Sequence, residues 1–154
     1  DRAQAYYQYN IRRQSYLSSD AMLLSPHVEV FRDHENALLD QPFTVAVLTC
    51  AATIHDGKPP AMSENEYEAL LYQRICSMLV VAACYGYRDL VLGAWGCGAF
   101  GNDAQMIARL FHKAFTQKMI QGRLLGSFFG RVDFAVLDRT RDRYNYCSFK
   151  EYFR

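Results

Sequence analysis

Residues 90–103 read LVLGAWGCGAFGND, and this stretch restricts the possible folds more than any other part of the chain. It opens as an apolar, strand-forming run and breaks into four glycines (93, 96, 98 and 101) with Trp95 and Phe100 among them. It ends in Asn-Asp before AQMIARLFHKAF. A strand, a glycine loop and a helix in that order form the basic joint of an α/β fold. The flanking sequence keeps the same alternation. Residues 43–52 (FTVAVLTCAA) are β-branched and almost continuously apolar, which predicts a strand buried on both faces. The TIHDGKPPAMS segment that follows reads as a loop, with Pro59 and Pro60 in it. Ser63 with Glu66 forms a capping box. Leu70, Leu71, Ile75, Met78, Leu79 and Ala82 then recur at helical spacing up to Gly86, a C-terminal stop. DLVLGAW predicts a second buried strand and RVDFAVLD (131–138) a third. Between them Ile107, Ala108, Phe111 and Phe115 give a helix its apolar face, and SFKEYF closes the chain as a short helix. Upstream, AMLLSP and HVEVFRD read as two short extended segments separated by Pro26, with HENALLDQP as a polar loop. This order implies a mainly parallel sheet with helices on both faces, whose ligands bind beyond the C-terminal strand ends. The glycine stretch lies at such an end.

Composition narrows the function. The chain has 154 residues, enough for a single domain with a real core, and 51% of them are hydrophobic. A net charge of +1 gives no bulk field for nucleic acid or an anionic membrane. Apolar stretches such as MLVVAAC are too short to span a bilayer, and the polar, aromatic start DRAQAYYQYNIRR is unlike a signal peptide. Five scattered cysteines without a CxxC pair predict reduced thiols in a cytoplasmic protein and no metal site.

The glycine loop itself points to a phosphate ligand. Each glycine lets the backbone turn tightly and a ligand lie against it, and successive N–H groups make a concave nest for anions. A helix capped by Asn102 or Asp103 would add its own N–H groups and positive dipole end. The alternative is a tight connection with Phe100 in the core. GCGAFG matches the dinucleotide fingerprint GxGxxG, but the carboxylate expected about 20 residues on is missing from KMIQGRLLG. Cys97 lies near a helix start, yet Trp95 and Ala99 stand where a nucleophile elbow needs glycine, and no histidine (27, 34, 55, 112) is placed as its base. It reads as a small residue. Glu64, Glu66 and Glu68 suit a helix N-terminus, and His55 is a loop histidine that could line the cleft.

Taken in order and spacing, MLLSPHVEVFRD, FTVAVLTCAA, LVLGAWGCGAFGND and RVDFAVLD resemble the microbial-type poly(ADP-ribose) glycohydrolases, a branch of the macrodomain superfamily. The resemblance runs from about Tyr6 to the C-terminus. It implies a three-layer α/β/α macrodomain with a mainly parallel or mixed sheet. It also implies ADP-ribose or poly(ADP-ribose) as ligand, with no cofactor, metal, nucleic acid or membrane. By that resemblance Gly96, Cys97, Gly98, Ala99, Phe100, Gly101 and Asn102 would wrap the diphosphate and distal ribose, with Phe100 packing on the ligand.

One departure is large. The family's catalytic signature is a Gly-Gly-Gly run followed by Gln-Glu-Glu, whose second glutamate protonates the glycosidic oxygen as the ribose–ribose bond breaks. Neither string occurs here. The expectation is therefore a single macrodomain-like domain, 1–154, forming the C-terminal part of a longer chain and lacking its first strands. That domain would bind ADP-ribose, with the glycohydrolase reaction completed by its own N-terminal segment or, alternatively, with no hydrolysis at all. No catalytic residue is assigned; Glu29 and Asp33 lack any partner to set them up as acid or base.

Overall fold

The computed structural model describes residues 2–13, 15–55 and 62–153. The loop expected around the paired prolines falls largely on 56–61, outside them. The chain divides into two compact units, Asp1–Gln14 with Ser19–Ala51, and Ser15–Ser18 with Ala52–Arg154.

The first unit is a helix and a long hairpin. Helix α1 (Arg2–Arg13) was not foreseen; Tyr6 is its buried side chain, and Ser19 Oγ donates to Asn10 Oδ1 at 2.7 Å. Strands β1 (Met22–Arg32) and β2 (Leu38–Cys50) pair antiparallel from Met22↔Cys50 to Arg32↔Leu38. The two upstream segments are thus one strand. Proline has no N–H for the ladder, and the register slips between Ser25 and Val28, around Pro26. The supposed loop after it is mostly strand too. Asp33 Oδ1 accepts the amides of Glu35 and Ala37 at 2.9 Å each, Asn36 takes φ 67°, and pairing resumes at Leu38. Nor is β2 buried on both faces: Phe43 and Val47 are exposed. Its run of apolar residues predicts the strand, but the coverage of each face depends on what packs there.

The second unit holds the core. Helix α2 (Glu64–Cys84) begins at the expected capping box and is followed by Gly86 at φ +77°. At 21 residues it is long and apolar enough to cross a bilayer by composition, unlike any single apolar run in it. Here it is a core helix, with Tyr67, Leu71, Ile75 and Leu79 buried. Strand β3 (Asp89–Leu92) leads through the glycine stretch to helix α3 (Ala104–Gln117), whose Ile107, Ala108, Leu110 and Phe111 complete that core. Glu68 and Arg109 tie the two helices together by paired hydrogen bonds of 3.0 and 2.8 Å, which hold the Glu68 carboxyl below its ordinary pKa. Gln121 (φ 49°) and Gly122 (φ 76°) turn a small unforeseen hairpin, β4 (Met119–Ile120) and β5 (Arg123–Leu124), followed by a short 3-10 turn that buries Leu125. Strand β6 (Arg131–Phe134) pairs parallel with β3, Leu90 opposite Val132, and helix α4 (Tyr144–Tyr152) follows.

The α/β class holds, with parallel and antiparallel pairs in a mixed arrangement. Two strand expectations do not. Strand β6 ends four residues before Asp138. The buried-strand reading of β3 and β6 also fails on one side: Leu90, Leu92, Val132 and Phe134 are half-buried, whereas Val91 is 76% exposed. Among the described residues, helices cover one face of this pair.

Candidate functional site

The glycine stretch leaves β3 at Leu92 and ends at the α3 cap, Asp103. Its glycines serve different purposes. Gly96 (φ +76°) and Gly101 (φ +67°) lie in the left-handed region, where a side chain is strained. A Cβ on Gly96 would also stand 2.5 Å from Asn102 Nδ2. At Gly98 neither reason applies. Its φ is not positive, and a Cβ there would meet nothing within 4 Å. No described part of the protein requires glycine at position 98.

The loop is pinned from behind. Cys97 N–H donates to Ala94 O at 3.0 Å, Gly101 N–H to Gly98 O at 3.0 Å, and Asn102 N–H to Gly96 O at 3.1 Å. His55 N–H, from the segment after β2, donates to Phe100 O at 2.9 Å. The amides of Gly96, Gly98, Ala99 and Phe100 donate to nothing among the described residues. Gly98, Ala99 and Phe100 are exposed, Phe100 to 40%. N–H groups left unpaired this close together are the material from which an anion nest is built.

Two features differ from the sequence reading. First, the α3 N-terminus adds little to these free amides. Asp103 Oδ1 accepts Met106 N–H at 2.7 Å and Oδ2 accepts the Tyr144 hydroxyl at 2.6 Å, so a carboxylate already sits on the helix dipole. The second of these hydrogen bonds holds the phenol proton and so raises the Tyr144 pKa, with desolvation and the Asp103 charge adding to it. Second, the Asn102 side chain is 4% exposed and turned inward. It donates to Thr53 O at 2.9 Å and Gly96 O at 3.0 Å, and accepts from Tyr67 Oη at 2.6 Å. Cys97 is the small residue that the sequence reading makes it, and its thiol donates to Trp95 O at 3.7 Å. Burial first, and the Asp103 charge second, push its thiol pKa up to about 12, so it is protonated at neutral pH and no nucleophile.

The structure also brings together what the sequence left apart. His55 lies 3.6 Å from Glu64 Oε2 and edge-on to Tyr67, with ring centroids 5.3 Å apart. Thr53 and Tyr67 were not anticipated. A tyrosine inside an apolar helical stripe looks like core, and only its 35-residue-distant partner Asn102 reveals a second task. No cluster that could hold a metal ion occurs among the described residues.

Neither a protein-family model nor a curated protein matches the chain. Solved structures do. Poly(ADP-ribose) glycohydrolase from Thermomonospora curvata, bound to the inhibitor ADP-HPD, superposes with a TM-score of 0.87 at 34% identity, over 97% of this chain and 55% of that one. The enzyme from Deinococcus radiodurans in complex with ADP-ribose gives 0.83 at 34% identity, over 97% of this chain and 58% of that one. The chain thus spans little more than half the length of these relatives. Fold and sequence together make almost the whole of this chain similar to the microbial poly(ADP-ribose) glycohydrolases, over little more than half of their length.

Proposed function

We propose that residues 96–102 form an ADP-ribose cradle, in which the free amides hold the diphosphate and Phe100 packs on the sugar or base. The observation that carries this reading is Gly98, a glycine with no steric or conformational need of its own, set among unpaired amides. A diphosphate lying against the backbone supplies that need. The relatives crystallised with ADP-ribose and ADP-HPD support the same ligand class.

In a chain of this family the reaction would be hydrolysis of ribose–ribose bonds in poly(ADP-ribose). This chain contributes the binding half of that chemistry: it would hold the diphosphate, orient the distal ribose and leave proton transfer to groups on another segment. The sequence contains no GGG and no QEE. The outward face of β3, where Val91 is exposed, is where such a segment would pack.

Calorimetric titration with ADP-ribose, with AMP and NAD as controls, tests the proposal. Saturable binding of ADP-ribose, tighter than that of AMP, is the expected result. Equal or absent binding of all three by the folded chain would reduce the loop to a turn.

A further inference from the structure

The buried groups behind the loop form a closed circuit. Thr53 and Tyr67 are 0% exposed and Asn102 4%. Tyr67 Oη spends its one proton on Asn102 Oδ1 at 2.6 Å, so across the 2.6 Å contact to Thr53 Oγ1 the threonine must be the donor. Asn102 then returns one amide proton to Thr53 O and gives the other to Gly96 O. Every polar atom in the circuit has a partner, and this direction of donation fixes which way the Asn102 amide faces. The circuit grips the loop at Gly96 and Asn102, and the neighbouring His55 amide grips it at Phe100. It touches none of the free amides.

From this we infer that Tyr67 is a positioning residue: its phenol locks Asn102 so that the 96–102 loop holds its cradle shape before any ligand arrives. The inference rests on the ADP-ribose reading for its functional consequence and on the geometry alone for its structural one. A loop already ordered loses less entropy when it binds, so the lock favours affinity without contacting the ligand.

The chain's single tryptophan, Trp95, stands at the start of this loop and reports on it without ligand. Tyr67→Phe removes the phenol oxygen and leaves Thr53 Oγ1 and Asn102 Oδ1 each short of a partner. Emission and acrylamide quenching of Trp95 should change in the folded variant, and ADP-ribose affinity should fall about tenfold. Leu110→Ala, which removes a fully buried side chain of α3 outside the circuit, should lower the melting temperature yet keep the Trp95 signal and affinity of wild type. Thr53→Val breaks the circuit at another point and serves if Tyr67→Phe does not fold. Wild-type Trp95 behaviour in a folded circuit variant overturns the inference. So does altered Trp95 behaviour with undiminished affinity. If the wild-type chain binds no ADP-ribose, the functional reading falls, and Trp95 alone decides whether Tyr67 positions the loop.

Discussion

Replacing Gly98 with leucine is expected to weaken ADP-ribose binding about a hundredfold or more while leaving the fold intact. The two effects separate because of where the new side chain goes. A Cβ at Gly98 enters open space, and the residue's φ is not positive, so neither clash nor backbone strain opposes folding. Substituting a glycine at a compatible position even stabilises slightly, by about 0.4–1 kcal/mol for alanine, because the unfolded chain loses freedom. The same side chain would take up open space beside the free amides, where the proposed diphosphate has to approach the backbone. Losing two charge-assisted hydrogen bonds, at about 1.5–3 kcal/mol each, accounts for the fall in affinity. Gly96→Ala behaves differently. Its Cβ drives into Asn102 at 2.5 Å from a φ of +76°, so stability and binding fail together. Thermal melts beside calorimetry distinguish the two. A Gly98→Leu protein that melts and binds like wild type would remove the ligand from the account of this loop.

The largest loss of stability should come from Phe111→Ala. Phe111 is 1% exposed on α3 and meets the Phe134 ring edge-on, with centroids 5.3 Å apart, so truncation opens a cavity between helix and sheet. Such changes cost about 3–5 kcal/mol, which lowers the melting temperature by about 10 °C in a domain of this size. Val91→Ser, on the strand next to it, should cost about 0.5 kcal/mol or less, because that side chain is 76% exposed. A strand buried on both faces predicts a severe loss at Val91 instead. Denaturant unfolding of the two variants decides between these pictures.

That contrast marks what the sequence makes legible. Helices α2 and α3 are readable because their signals are local: Ser63 and Glu66 lie one turn apart, and Ile107, Ala108 and Phe111 mark one stripe. Strand existence is readable for the same reason. Strand coverage is not, since Val91 has the same residue type whether or not something lies over it. Pro26 could be read as a break or as a bulge, and only its partner strand, 15 or more residues on, decides for the bulge. The loop divides along the same line. Clustered glycines announce it, but their separate reasons depend on long-range partners: Asn102 fills the space beside Gly96 because Tyr67 and Thr53 hold it there. Asn102 therefore reads as a ligand contact in sequence and stands as a bracket in the fold. The family resemblance is legible because LVLGAWGCGAFGND is long and specific, and the structural neighbours agree with it.

The central claim is that the free amides of this loop hold a diphosphate. Amide chemical shifts followed by NMR during an ADP-ribose titration test it residue by residue. The account predicts that Gly96, Gly98, Ala99 and Phe100 shift most, downfield as their N–H groups gain acceptors, while Asn102, already bonded to Gly96, moves less. Saturable binding with the largest shifts elsewhere, or no shifts at all in the folded chain, would contradict it.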